Sequence, residues 1–390
     1  MLKLLRKSLV LELSSFFAEI GSSFKRISPS AFVQGRKKIK PDMFEELNQL
    51  IVSEYYSDNE ENVRLFENMR ILSVDGSTVN LPLTKDLLKY FELHNNQNKT
   101  NDVLIGRVSV LYDVLNNIVI DGLLRPFSQG EVTLCREHLK CVKNKDLVIM
   151  DRAYPSFDTA WELNKKEAHY LFRCKVGFSK QVAAFYESGA KDKIVEIKPK
   201  QKKSFKGLAY GQEASLKARM LSVKLDSGET EILMTSLLDG EKYPQQIFKD
   251  LYFKRWGVET YYDRFKNIIE VEKFSGTSRQ FIQQEFNCAL YLSNMQTILT
   301  IEANKEAAQK YVGRKYEYKV NQSLALGFIR KNLVEIFSSE QKSEELLEEL
   351  KKMFVENVIP IRPGRKNKRN VDKFRQRTKP KQFKNRRDIL

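Results

Sequence analysis

The sequence predicts an α/β (α+β) protein: a mixed sheet flanked by helices, with further helices before and after it. Three observations predict this class. The 390 residues are 42% hydrophobic, enough for a substantial core and more than one domain. From residue 70 to 176, apolar strand patterns alternate with stretches of helical spacing. From 177 to 245 hairpin patterns break that rhythm, and helical patterns resume at Pro244.

Residues 1–69 read as a helical, polar-basic region. MLKLLRKSLVLELSSFFAEI is expected to be an amphipathic helix, not a signal peptide, because Glu12 and Glu19 interrupt it and no small-residue cleavage site follows. SPSAFVQGRKKIKPDMFEEL (28–47) predicts a Ser-Pro helix start, a basic face of Arg36, Lys37 and Lys38, and a Pro41-Asp42 break into another helix. Such a pair resembles a small helical DNA-binding module. The core's first part (70–176) opens with RILSVDGSTVNLP, a short strand over Ile71, Leu72 and Val74 that ends at Asp75-Gly76-Ser77. Residues 102–126 alternate as two strands turned at Asn116-Asn117. EVTLCREHLKCVK (131–143) has helical spacing, DLVIMDRAYPS (146–156) is a buried strand running into Asp151, FDTAWELNKK is a helix and HYLFRCKV (169–176) a strand. Three antiparallel strands, a helix, a strand, a helix and a strand make the order of an RNase H-like core. A β-rich insertion over 177–245 follows, with a turn at Asp226-Ser227-Gly228. Helices from Pro244 to about Asn304 supply the core's second part (246–304), then come a helical, charged region (305–361) and a basic tail (362–390).

Charge narrows the partners. With 67 Lys+Arg against 50 Asp+Glu the chain carries +17, which suits a polyanion, either nucleic acid or an anionic membrane. The tail holds thirteen Lys or Arg and two Asp, the composition of an arm along phosphates or of a solvated segment. No apolar stretch approaches the roughly 20 residues of a spanning helix. Four cysteines without C-x-x-C spacing and three scattered histidines argue against a zinc site or a disulfide framework. These features point to a cytoplasmic nucleic-acid-binding protein with no membrane partner.

Asp75 and Asp151 each follow an apolar run, the place where open α/β sheets present functional groups. Turn and N-cap roles fit such residues equally, and Asp102, Asp113 and Asp121 compete with them. In YFKRWGVETYYDRFK (252–266), at roughly 100° per residue, Tyr252, Arg255, Glu259 and Lys266 fall within an arc of about 60°. A surface salt-bridge helix would show the same Arg–Glu spacing. Two aspartates and a glutamate are also what two-metal phosphoryl transfer requires, with two Mg²⁺ ions (or Mn²⁺ in their place) and no histidine base. Trp256, about 40° from Tyr252, is expected to pack beneath that face. Arg152 and Tyr154, close behind Asp151, are candidate phosphate contacts.

Tyr252-x2-Arg255-x3-Glu259-x6-Lys266 resembles the Y-R-E-K signature of DDE transposases from the large bacterial insertion-sequence family that carries it. DGS (75–77) resembles that family's first aspartate block, DRAY (151–154) its second, and EKFSGTSRQFIQQEF (272–286) the phrase after the signature. The likeness covers about residues 25–300. It implies that Asp75, Asp151 and Glu259 form the metal-binding triad on an RNase H-like fold, and that Tyr252, Arg255 and Lys266 contact the element's terminal DNA. It further implies water attack at the element end, then attack of the freed 3′-OH on target DNA. The partners implied are double-stranded DNA, as terminal inverted repeats and target, and a second copy in a homodimer; the setting is the bacterial cytoplasm, at the nucleoid. Some members stack a flipped base on an insertion tryptophan. Here Trp161 and Trp256 lie outside the insertion, whose aromatics are Phe178, Phe185, Tyr186, Phe205 and Tyr210. An inactive or domesticated DNA-binding relative, another RNase H-like nuclease and a basic peripheral membrane protein are the competing readings.

Overall fold

A computed structural model describes residues 8–21, 27–58, 60–95, 102–200, 209–224, 228–337 and 340–362. The basic tail after Arg362, Phe205 and the Asp226-Ser227 half of the expected turn lie outside the described residues.

Three helices come first: α1 (Leu9–Glu19), α2 (Pro29–Lys37) and α3 (Asp42–Asp58). Ser28 caps α2, its hydroxyl accepting from the Ala31 amide at 3.1 Å, and Pro29 fills the first helical position, where no amide is needed. Then follow β1 (Ile71–Asn80), α4 (Lys85–Leu88), β2 (Glu92–Asn95), β3 (Asp102–Asp113), β4 (Ile118–Pro126), α5 (Glu131–His138), β5 (Leu147–Met150), α6 (Phe157–Lys165) and β6 (His169–Cys174). The segment expected as an insertion supplies α7 (Lys180–Glu187), β7 (Asp192–Ile197), β8 (Leu216–Lys224) and β9 (Thr230–Thr235).

These nine strands form one mixed sheet, in the order β2-β3-β1-β5-β6-β9-β8-β7, with β4 also on β3. At its centre β1, β5 and β6 run parallel, and antiparallel pairs flank them on both sides. Asn117 takes φ 58° at the β3–β4 turn, a conformation asparagine tolerates. Two expectations change here. β1 does not end at Asp75: it pairs with β3 from Leu72 to Asn80, so Gly76-Ser77, which read as a turn, lies inside a strand. The insertion strands are no separate block, because β9 pairs with β6 and carries the central sheet onward, while α7, read as β-rich sequence, packs on it.

The chain continues with α8 (Ile247–Phe253), α9 (Trp256–Asn267), α10 (Arg279–Leu299), α11 (Ile301–Lys310), β10 (Tyr318–Val320), α12 (Gln322–Lys331), α13 (Leu333–Ile336), α14 (Glu340–Glu356) and β11 (Val358–Pro360). Helices were expected from Pro244 to about Asn304, and two of the breaks between them follow from local bonding. At Lys254-Arg255 the amides of residues 254, 255, 257 and 258 bond to carbonyls three residues back, a tightened turn that re-aims the following helix. Between α9 and α10 the amides of Ser275 and Gly276 donate to Glu285, and a Cβ on Gly276 would lie 2.3 Å from that of Phe281, so only glycine fits there. The β10–β11 pair had no counterpart in the sequence reading.

Alternation along the strands sorts the core into two faces. Leu72, Val74, Val148, Met150, Tyr170 and Phe172 face α3 and α5–α7. Ile71, Leu147, Ile149 and Leu171 face α8, and Val79, Val108 and Val110 face α9 and α10. Each such side chain contributes about 1.5–3 kcal/mol on burial. The first helices are keyed onto α10: Asn294 donates to Asn48 at 2.8 Å, and Arg36 is buried against Glu285 at 2.8 Å and Gln284 at 2.9 Å. Arg36 was expected on a basic DNA face. Its guanidinium is committed to Glu285, and only Lys37 and Lys38 are exposed there.

Candidate active site

β1 and β5 pair only from Ile71/Leu147 to Ser73/Ile149. Two residues past the last pair come Asp75, still within β1, and Asp151, just after the end of β5. There β5 has ended and β1 goes on with only β3 beside it, so the sheet splits. Alternation puts Asp75 on the face that Ile71 turns toward α8, and Asp151 is tied to that side by the Tyr252 hydroxyl of α8. Glu259 sits in the first turn of α9, which lies along β1.

The helix and the segment that follows it are fastened to β1. The Tyr262 hydroxyl donates to the Asp75 carbonyl at 2.7 Å, Lys266 Nζ donates to Ser77 Oγ at 2.7 Å, and Glu272 accepts from the Asn80 amide at 3.1 Å. Gly257 lets α9 start close to the β3–β4 turn, since a Cβ there would come within 3.3 Å of Val114. The carboxylates themselves are held unequally. Asp75 accepts from the Gly76 amide at 2.9 Å. Asp151 accepts from the Arg152 amide at 2.7 Å and the Tyr252 hydroxyl at 3.3 Å, with Arg173 at 3.5 Å. Arg173 also pairs with Glu231 on β9. Glu259 is paired with Arg255 at 2.8 Å and keeps 37% of its side chain exposed.

Burial sets the electrostatics of Asp75 at this split. Burial pushes the Asp75 acid up to about 6; the Gly76 amide and Arg255 pull it down, while Glu259 and Glu131 push it up. Arg255 is the cation whose charge acts on Asp75, Asp151 and Glu259 alike. Among the described residues no three His, Cys, Asp or Glu side chains stand together as a metal site. The donor chemistry nonetheless fits a hard divalent cation: the acidic groups offer carboxylate oxygens alone, and burial disfavours the bare charge of Asp75.

Of the residues expected to meet DNA, several turn inward. Tyr154 is buried and its hydroxyl lies 3.5 Å from Glu131, out of reach of a phosphate. Tyr252 and Arg255 are buried as well, bonded to Asp151 and Glu259. Lys266 is half-buried against Ser77. Trp256 was expected to pack beneath the site and is 48% exposed, with the Arg255 guanidinium 5.0 Å from its ring. Arg152 is exposed and lines a polar cleft of about 600 Å³ with Arg173, Lys175, Tyr186 and Glu231. Of the aromatics noted between 177 and 245, Phe185 and Tyr210 are buried and Tyr186 is exposed in that cleft. The competing aspartates Asp113 and Asp121 are buried in hydrogen-bonded networks, and Asp102 opens β3 opposite Asn95. Tyr262, Arg173, Glu231 and Glu131 escaped the sequence reading. Only Tyr262, one turn beyond Glu259 on the same helix, had a local signal.

A family model described as "Transposase DDE domain" matches residues 67–295. The chain is 22% identical over 277 residues to the transposase InsG for insertion sequence element IS4 of Escherichia coli (strain K12), a match covering 69% of this chain and 60% of that protein. It is 17% identical over 291 residues to the transposase for insertion sequence element IS231F of Bacillus thuringiensis subsp. israelensis, covering 64% and 60%. The chain thus spans 60% of the length of these curated relatives. Among solved structures it aligns with the piggyBac transposase in a cryo-EM synaptic complex with hairpin DNA, at 11% identity and a TM-score of 0.43, over 87% of this chain and 69% of that one.

Proposed function

The chain belongs to the transposase DDE domain family, and from that premise we propose that it binds the ends of an insertion sequence, cleaves the DNA and joins it to target DNA. The reaction is cut-and-paste transposition by phosphoryl transfer on an RNase H-like core made of β4-β3-β1-β5-β6 and its helices. The working carboxylates are Asp75, Asp151 and Glu259. One observation carries the reading: the sheet splits where β1 leaves β5, with Asp75 on β1 and Asp151 just past β5, and the helix that carries Glu259 is bonded to β1 beside Asp75.

These three carboxylates would hold Mg²⁺, or Mn²⁺ in its place; when bound, two such ions supply positive charge to the attacking and leaving oxygens. The chain's own groups do the rest. Tyr252 and Arg173 orient Asp151, and Arg255 orients Glu259 and offsets the charge around Asp75. Arg152, Arg173 and Lys175 face the cleft beside Asp151, where a DNA strand's phosphates would run. Lys37, Lys38 and the basic tail add non-specific attraction to duplex DNA. Further parts of the proposal are the division into a DNA-binding region (1–69), a core in two parts (70–176 and 246–304) with an inserted segment between, and a C-terminal region. So are a homodimer on the paired ends and a place at the nucleoid.

A DNA-binding relative without catalysis is the second reading, favoured by the lack of a ready three-ligand metal site among the described residues. Strand transfer decides between them: a labelled duplex bearing the element's end is incubated with supercoiled plasmid in Mg²⁺. Label joined covalently to plasmid supports the transposase, and specific end binding with no joined product supports the relative.

A further inference from the structure

Four elements of the site meet at a residue outside the three carboxylates. Glu131 opens α5 directly after Gly130. Its Oε1 accepts from Arg107 Nη1 of β3 at 2.6 Å, and the Tyr154 hydroxyl donates toward its Oε2 at 3.5 Å. Arg107 is itself fixed, with its Nε donating to the Phe127 carbonyl at 3.2 Å and its guanidinium 4.3 Å from the Phe127 ring. The Glu131 side chain lies directly against the backbone of Gly76: a Cβ built there would be 3.0 Å from its Cγ and Cδ and 3.1 Å from Oε1. A glycine inside a strand marks such a close approach. This accounts for glycine at 76, where the strand geometry alone demands none.

From Glu131 two short paths lead to the two aspartates. Through Gly76, whose amide holds the Asp75 carboxylate at 2.9 Å, it backs the first. Through Tyr154, whose amide bonds to the Asp151 carbonyl at 3.0 Å, it backs the turn that follows the second. We propose that Glu131 is a positioning residue, locked by Arg107, that fixes Asp75 and Asp151 relative to each other by bracing Gly76 on one side and Tyr154 on the other. The inference rests on reading Asp75 and Asp151 as the working carboxylates. Small displacements of such groups cost rate steeply, while DNA binding, spread over other contacts, is untouched.

The test compares full-length wild type, Glu131→Ala, Glu131→Gln and Gly76→Ala in Mg²⁺-dependent strand cleavage, and follows amide exchange at residues 75–77 and 152–154 by mass spectrometry. Glu131→Ala is expected to lower the rate at saturating DNA by about tenfold or more, with KM for DNA within about twofold, and to speed exchange in both segments. Glu131→Gln keeps the shape and an acceptor for Arg107 and is expected to retain the rate and the slow exchange. Gly76→Ala, which displaces Glu131 without removing it, is expected to reproduce the alanine effect and serves if Glu131→Ala does not fold. Unchanged rate and exchange in Glu131→Ala overturn the proposal, as does a glutamine variant as impaired as the alanine one. A wild type that cuts nothing would sink the functional reading alone, and the exchange data would still decide whether Glu131 braces both segments.

Discussion

Asp75 and Asp151 share a sequence signature with Asp113, Asp121 and Asp146, an aspartate in or beside an apolar strand, and differ from them in their surroundings. Asp113 accepts from the Tyr56 hydroxyl at 2.6 Å, from Asn116 Nδ2 at 2.8 Å and from two backbone amides. Asp121 is bonded to His138 Nδ1 at 2.8 Å, and His138 Nε2 to Ser109. Asp146 takes the Arg70 fork at 2.7 and 2.6 Å and the Lys143 amide at 2.7 Å. All three are buried, whereas Asp75 and Asp151 are partly exposed at a split in the sheet. A carboxylate whose lone pairs are taken up by the fold has nothing left for a ligand. Asp75, half-buried beside other acids with the Gly76 amide on its carboxylate, works against the fold, and such a cost points to function.

Activity separates the two sets most. Asp151→Ala is expected to reduce strand cleavage by roughly a thousandfold or more, with end binding retained, as read by single-turnover cleavage and gel shift. Asp146→Ala leaves Arg70 buried without its partner and is expected to cost about 3–5 kcal/mol in urea unfolding, with little change in rate per folded molecule. Should Asp151→Ala unfold the protein and Asp146→Ala spare it, the distinction between the sets would collapse.

Within the buried set Asp121 carries its own pH signature. Burial alone would raise the Asp121 acid, but the His138 hydrogen bond and charge, with Lys140, outweigh it and hold the acid below its ordinary value. With the folded value below the unfolded one, the carboxylate stabilises the fold above the unfolded value, and that contribution is lost as pH falls through the folded one. Asp121→Asn should therefore cost about 1–2 kcal/mol at neutral pH, and the gap to wild type should narrow below about pH 4. A gap that widens in acid would contradict the assignment. Within the site, Tyr252→Phe removes one long hydrogen bond to Asp151 and is expected to slow cleavage less than about tenfold, the equivalent of about 1 kcal/mol, without changing KM for DNA. The smallest effect is expected on the exposed face of α2: Lys37→Ala with Lys38→Ala should lower the salt-dependence slope of DNA binding by up to about two. A steeper or unchanged slope would remove these lysines from the DNA.

The sequence made the order β1, β3, β4, α5, β5, α6, β6 and the spacing of Asp75, Asp151 and Glu259 legible, because apolar periodicity and motif spacing are local; the short α4 and β2 were not read. What it hid was set by partners far away in the chain. Arg36 sits in a basic run that reads as a solvated face, and only Glu285, more than two hundred residues later, turns it inward. Gly76-Ser77 read as a turn because nothing local reveals that β3 continues alongside. Trp256 read as buried from a regular helical wheel, and the tightened turn at Lys254-Arg255 precedes it at the start of α9. Glu131 had no signal at all, since its role depends on Arg107, Gly76 and Tyr154 meeting in space.

The central claim is that Glu259 joins Asp75 and Asp151 in the chemistry, beyond forming a helix salt bridge with Arg255. The most direct measurement is excision from a supercoiled plasmid carrying the element's own ends, in Mg²⁺, by wild type and Glu259→Gln, with end binding followed in parallel. Cutting at the ends by wild type, lost in Glu259→Gln while binding persists, is the result expected. A Glu259→Gln protein that cuts as well as wild type would contradict it, leaving Glu259 as a partner of Arg255 and nothing more.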